Sequence, residues 1–227
     1  MANARRVFDI EVAGLRAVRN QLDGAFSNAV DLIVEILRRR GKIVVVGIGK
    51  SGNIGQKIAA TLTSTGASSV VLNSVDALHG DLGIVNDGDL VLALSYSGES
   101  EELLNLIPAL KRFSVKILAM TGEAKSSLAR HSDLVLSARV PKEACPFNLA
   151  PTASTTAMLA LGDALAMAVQ KRPQAAHRDA QGQVGAFGAD ARVGGHHLEG
   201  APDEPLTNRA CTHHPGRRLQ PGGQCLQ

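Results

Sequence analysis

Five short apolar runs recur along the middle of the chain, spaced widely enough for a helix to cross from one to the next. They are "KIVVVG" (42–47), "SVVLN" (69–73), "LVLALS" (90–95), "VKILAM" (115–120) and "DLVLSA" (133–138). None of them alternates apolar with polar residues. Each therefore reads as a strand covered on both faces, as the central strands of a parallel sheet are. Between them, "NIGQKIAATLTSTG", "ESEELLNLIPALKR" and "EAKSSLARH" carry helical patterning. Strand and helix in alternation give one sheet with helices packed on its faces. The expectation is a three-layer αβα sandwich around a five-stranded parallel sheet, filling residues 41–172.

Residues 1–40 read as two helices packing on that domain, with Phe8, Val12, Leu15 and Val18 and then Val30, Ile33, Val34 and Leu37 at helical spacing. The stretch "RRRGK" suits the end of the second helix. A last helix is expected in "TASTTAMLALGDALAMAVQKR" (152–172), whose Ala and Thr content allows close packing in the domain or against another subunit.

After Arg172 the composition changes. Residues 173–227 contain no Lys, Ile, Ser or Met, hold five of the seven His, and are rich in Gly, Ala, Pro, Arg and Gln. With no apolar periodicity, such a segment buries too little surface to offset its ordering entropy, so disorder is expected. The same residues are what GC-rich codons yield out of frame. A frameshift near Arg172 is therefore one expectation and a natural low-complexity tail the alternative; resequencing the gene separates them.

Composition narrows the function. No apolar run approaches the roughly 18–20 residues that cross a bilayer, and the start "MANARRVFDIEVAG" lacks the apolar region of a secretion signal, so a cytoplasmic protein without membrane contact is expected. Cys145, Cys211 and Cys225 are odd in number and form no metal-type pair. A net charge of +3, with no Trp and one Tyr, gives little footing for nucleic acid. Small-molecule chemistry is left.

Two loops carry that chemistry. In "VVVGIGKSGNIGQK" (44–57), Gly47, Gly49 and Gly52 have dinucleotide spacing and Gly49-Lys50-Ser51 resembles the end of a triphosphate loop. A Walker A loop needs glycine where Val44 stands. A dinucleotide site needs an acidic residue closing the next strand, where Asn73 stands; Asp76 comes three residues late. A tight turn into a helix N-terminus remains, which suits an anion. The second loop, "SYSGESEE" (95–102), places Ser95, Ser97 and Ser100 around Gly98 at another helix start. One serine suffices to cap a helix, and a cluster suits a phosphate monoester. In a parallel sheet both loops fall on the C-terminal edge.

The strings "GIGKSGNIGQKIAATLTSTG", "HGDLG" (79–83), "SYSGESEE" and "KEACPFNLAPTASTTAMLALGDALA" (142–166) closely resemble the sugar-isomerase (SIS) domain of arabinose 5-phosphate isomerases, a flavodoxin-like fold. The resemblance runs from about residue 7 to residue 172. It implies interconversion of D-ribulose 5-phosphate and D-arabinose 5-phosphate, an early step toward the lipopolysaccharide sugar Kdo, by a homotetramer without a cofactor. It also implies catalytic roles for Lys50, Glu102 and Glu143, and substrate contacts from Ser51, Gly66, Ala67, His79, Ser95, Ser97 and Ser100. Isomerisation through an enediol needs a base, an electrophile at the carbonyl oxygen and a phosphate anchor. Either glutamate can be the proton shuttle, and Lys50 can stabilise the oxyanion or assist ring opening. Taken alone, Glu102 reads as a solvated helix residue, Glu143 as a loop charge and His79 as a turn residue.

Two departures from the family pattern stand out. Where members often carry a His that binds an inhibitory metal, this chain has Asn73, so no metal is expected. The family's "SHPGG"-like catalytic His beyond the last helix falls near Val184, in "AQGQVGAF"; His214-Pro215-Gly216 echoes it some thirty residues late. The paired CBS domains of many members also lack a counterpart. A non-catalytic phosphosugar-binding or sensing module is therefore the alternative function.

Overall fold

A computed structural model of the chain describes residues 1–73, 77 and 80–172. The expectations for His79, the tail and Val184 fall outside these residues. Two helices, α1 (Ala2–Asn20) and α2 (Gly24–Arg38), lead into β1 (Ile43–Gly47), α3 (Gly49–Ser64) and β2 (Ser69–Leu72). A 3-10 turn at Asp81–Ile84 precedes β3 (Leu90–Leu94), α4 (Glu101–Leu110), β4 (Lys116–Thr121), α5 (Ser127–His131), β5 (Leu134–Ser137) and α6 (Ala153–Gln170).

The five strands form one parallel sheet in the order β2-β1-β3-β4-β5. Their runs carry no polar alternation because both faces are covered. Ile43, Val45, Leu90, Leu92, Leu94, Leu118 and Met120 face a core shared with α1, α2, α3 and α6. Val44, Val46, Val91, Ala93, Ile117 and Ala119 face the other way, onto Leu103, Leu106, Ile107 and Leu110 of α4 and Leu128 of α5. Each fully buried Leu or Ile contributes about 1.5–3 kcal/mol. The three-layer sandwich expected from the runs is thus the fold observed.

α6 finds its close packing inside the domain. Ala153, Ala157, Leu161, Leu165 and Ala166 are buried among the larger core, and Lys57 of α3 pairs with Asp163 on its flank. The apolar stripe of α1 is covered only in part. Val18 is buried, whereas Phe8 is 70% exposed and Val12 43% exposed, so half of that face has no cover among the described residues.

A charge cluster closes the edge where the strands begin. The Lys42 ammonium bonds Asp89 Oδ2 at 2.6 Å, and the backbone N–H groups of Lys42 and Asn86 donate to the same carboxylate at 3.0 and 2.8 Å. Asp89 is 2% exposed; with three donors its charge is compensated as a buried charge must be. This fastens the starts of β1 and β3, and the opposite edge is left for the site.

Candidate active site

The sheet order places β1 beside β3, with α3 and α4 leaving their C-terminal ends for opposite faces. This is the switch point at which open α/β sheets bind ligands. Gly47 pairs in register with Leu94, so the glycine turn and the serine loop begin side by side.

The glycines of the first turn serve proximity. A Cβ on Gly52 would lie 2.8 Å from the Gly47 carbonyl oxygen, and one on Gly47 would lie 3.0 Å from backbone of Ser51 and Gly52. Two bare backbones are needed for the strand to fold back so tightly against the helix. Ile48 occupies the N-cap of α3 and offers no side-chain cap. Among the described residues its first N–H groups have no side-chain cap, and Lys50 and Ser51 lie on the same turn. Lys50 is exposed and makes no hydrogen bond or ion pair among the described residues.

The serine loop is a built structure. Gly98 lies in the left-handed region with φ of 66° and donates its N–H to Ser95 Oγ at 3.1 Å. The hydroxyls of Ser95 and Ser100 are 2.9 Å apart, and the Glu99 N–H donates to Ser97 Oγ at 3.2 Å. Ser95 is 3% exposed; its hydroxyl is spent on shaping the loop. Ser100 sits at the N-cap of α4 but makes no side-chain cap bond. It is therefore not the capping serine that sequence alone would allow. Glu101 and Glu102 follow on the first turn, where negative charge meets the positive helix end favourably. Glu102 is exposed and, like Lys50, makes no hydrogen bond or ion pair among the described residues.

Neighbouring loops brace this one. The Leu128 N–H donates to the Gly98 carbonyl at 3.0 Å, and the Ser127 N–H donates to Glu99 Oε1 at 2.7 Å. That last bond is the main cause holding the Glu99 carboxyl below its ordinary range. Tyr96 reaches further. Its phenol accepts the Val140 N–H at 3.2 Å and donates to the Val140 carbonyl at 3.4 Å. Tyr96, Ser97, Gly122, Glu123, Arg139 and Val140 line a cleft of about 420 Å³.

Val140 begins the segment that carries Glu143. This carboxylate caps α6: its Oε2 accepts the Thr152 N–H at 2.8 Å, the Thr152 hydroxyl at 2.9 Å and the Ser154 N–H at 3.3 Å. Burial pushes its pKa up, yet the Ser154 and Thr152 donors outweigh burial and hold it below the ordinary carboxylate range. The Ser154 hydroxyl, fully buried beside this carboxylate, lies outside full hydrogen-bond geometry and has no other partner among the described residues.

The structure thus brings Lys50, Ser51, Ser95, Ser97, Ser100 and Glu102 to the starts of two adjacent helices, and the Tyr96–Val140 link ties the Glu143 segment to the same edge. It does not bring Gly66 and Ala67 there. α3 carries the chain back across the sheet, and these two residues precede β2, where Ser69 pairs with Ile43 at the opposite edge. Asn73 closes β2, and among the described residues no three His, Cys, Asp or Glu side chains cluster as a metal site would require. Tyr96 and Thr152 gave no sign of their roles in the sequence. Tyr96 meets Val140 across 44 positions, and Thr152 reads as one more threonine at a helix start.

Comparison with known proteins follows the same outline. A family model for the SIS domain matches residues 36–168. The chain is 43% identical over 177 residues to arabinose 5-phosphate isomerase KdsD of Francisella tularensis, covering 78% of this chain and 54% of that protein. It is 48% identical over 167 residues to KdsD of Salmonella typhi, covering 74% of this chain and 50% of that protein. The chain spans about half the length of the curated relatives it matches. Among solved structures, the E. coli CFT073 protein c3406 in complex with arabinose 5-phosphate superposes with a TM-score of 0.69 at 37% identity, covering 74% of this chain and 88% of that one.

Proposed function

Because the chain belongs to the SIS domain family, we propose that it is an aldose-ketose isomerase interconverting D-ribulose 5-phosphate and D-arabinose 5-phosphate. The observation that carries this reading is the pair of helix N-termini, α3 and α4, left without side-chain caps on adjacent strands. An anion placed between them meets two sets of backbone N–H groups and the hydroxyls of Ser51, Ser97 and Ser100, while Ser95 holds the loop in shape. Likeness to a neighbour bound to arabinose 5-phosphate and to curated arabinose 5-phosphate isomerases supplies the sugar.

With the phosphate anchored, the open-chain sugar extends toward the charged residues of the same edge. A base removes the C2 proton of the aldose, the C–H pair becomes the C1–C2 double bond, and the carbonyl pair moves onto O1. Returning the proton to C1, while the O2 proton leaves and O1 gains one, completes the ketose. Glu102 or Glu143 shuttles the carbon-bound proton, and Lys50 stabilises the charge on oxygen. His79, Gly66 and Ala67 complete the proposed substrate contacts; the latter two lie at the far sheet edge, so they would serve a neighbouring protomer's site. The exposed Phe8 and Val12 on α1 support the homotetramer in this reading. A cytoplasmic place in the supply of Kdo, with no metal, nucleic acid or membrane involved, goes with it.

A second reading is favoured by one observation: Glu143 Oε2 is saturated by three donors, which weakens it as a base. A phosphosugar-binding or sensing module needs only the anion loops. Measuring ribulose 5-phosphate conversion beside arabinose 5-phosphate binding decides between them. Turnover that Glu102→Gln or Glu143→Gln abolishes with binding retained supports the isomerase, whereas binding without turnover rejects it. If Lys50→Ala leaves both unchanged, the site is misplaced.

A further inference from the structure

Glu143 is held in a way that distinguishes its two oxygens. The three hydrogen bonds to Glu143 among the described residues all reach Oε2 and none reaches Oε1, while the buried Ser154 hydroxyl lies beside the carboxylate without completing a bond to it. The Thr152 hydroxyl does more than add one bond, because its own oxygen accepts the Ala144 N–H at 2.8 Å. A backbone N–H can only donate, so it occupies a lone pair of Oγ1 and turns the hydroxyl hydrogen toward Glu143. A hydroxyl fixed as donor to a carboxylate favours the ionised form. The residues around Glu143 are thereby wired in one direction, from Ala144 through Thr152 to Oε2.

We propose that Thr152 is a positioning residue for isomerisation: its hydroxyl pins Glu143 through Oε2 and reserves Oε1 as the one oxygen that exchanges a proton with the substrate. The proposal rests on the isomerase reading and adds a residue to it. It also reconciles the cap with the chemistry. A carboxylate engaged at both oxygens could only stabilise the helix, whereas one engaged at Oε2 alone is oriented by the helix and still has a basic edge. Charged neighbours do not replace this control. Lys142 and Arg139 on the same segment are exposed, Cys145 is held by backbone N–H groups of its own loop, and Glu11 of α1 receives the Thr156 hydroxyl one turn further along α6.

Helix capping alone predicts something different, and Thr152→Val separates the two. The substitution keeps the backbone N–H that caps α6 and removes only the hydroxyl. The expected result is a fall in kcat of about tenfold to a hundredfold, as for loss of a hydrogen bond to an ion, with KM little changed. The acid limb of the pH–rate profile and the carboxyl-carbon NMR titration of Glu143 should both move to higher pH. Thr152→Ser should restore all three. A Thr152→Val protein with an unmoved Glu143 titration overturns the proposal, as does Thr152→Ser behaving like Thr152→Val. A moved titration with unchanged turnover also overturns it, while leaving the isomerase reading standing. If the wild-type protein turns over nothing, the isomerase reading falls, and the titration alone then decides whether Thr152 controls Glu143. Should Thr152→Val not fold, Thr152→Ala and the wild-type titration serve: a wild-type Glu143 ionising at or above the ordinary carboxylate range refutes the proposal outright.

Discussion

Replacing Gly98 by Ala should collapse the serine loop, and the cost can be worked from its surroundings. The residue holds φ of 66°, a left-handed conformation that costs a residue with a Cβ about 1–2 kcal/mol. The new Cβ would lie 2.1 Å from Ser126 Oγ and 2.4 Å from Ser126 Cβ, far inside contact distance. Ser126 is 2% exposed and cannot swing into solvent. Relieving the clash means overpacking, at about 1–3 kcal/mol. It also means rotating the hydroxyl that caps α5 through the Ala129 N–H, at about 1 kcal/mol. The sum is about 3–6 kcal/mol, much of the roughly 5–15 kcal/mol that holds a domain together. Urea unfolding of Gly98→Ala measures it, with Gly88→Ala as the control. Gly88 has φ of 85° but nothing within 4 Å of a Cβ, so only the conformational cost of about 1–2 kcal/mol applies. In a Ser126→Gly background, Gly98→Ala should fall most of the way to that cost, with the 3.1 Å approach to Thr121 Oγ1 remaining, a coupling read directly from the double-mutant cycle. If Gly98→Ala proves no worse than Gly88→Ala, the packing of the loop against Ser126 is wrong.

Three other outcomes follow from the same structure. Asp89→Ala strands the half-buried Lys42 ammonium and two N–H groups at the far edge; it should cost about 3–5 kcal/mol in chemical unfolding and leave sugar-phosphate affinity of the folded protein unchanged. Glu143 has a folded pKa below its unfolded value, so its stabilisation is present above the ordinary carboxylate range and lost as pH falls through the folded pKa. Melting curves of Glu143→Gln and wild type should accordingly differ at neutral pH and converge in acid; a constant gap contradicts the cap. Gly52→Ala, whose Cβ would press on the Gly47 carbonyl, should weaken arabinose 5-phosphate binding by calorimetry more than it lowers the melting temperature.

The fold was legible because covered strands leave an unmistakable trace. The runs at 42–47, 69–73, 90–95, 115–120 and 133–138 correspond to strands at 43–47, 69–72, 90–94, 116–121 and 134–137. The stretch 152–172 likewise contains α6, residues 153–170. These are local patterns in which every residue votes. The glycine turn and the serine loop were visible for the same reason, since glycine and serine clusters at strand ends are local. What stayed hidden depends on contacts across the chain. The capping bonds of Glu143 come from Thr152 and Ser154, nine and eleven positions on, after a loop that no periodicity describes. Gly66 and Ala67 entered as substrate contacts through the family resemblance alone, which carries no information on which sheet edge they occupy. Only the length of α3 shows that they stand at the opposite edge. Phe8 and Val12 fitted a helical stripe as well as Val18 did, yet only Val18 is buried; periodicity reports which face is apolar and says nothing about how far the cover extends.

The contact between Tyr96 and Val140 has a practical side. The chain has no Trp and a single Tyr, so all of its intrinsic ultraviolet emission beyond the weak phenylalanine signal comes from one phenol. That phenol bonds both backbone groups of Val140 and lines the cleft beside Ser97. One optical probe thus sits between the serine loop and the segment leading to Glu143. Any ligand that tightens or parts those two stretches changes the brightness of the whole molecule, and occupancy can be followed in unlabelled protein.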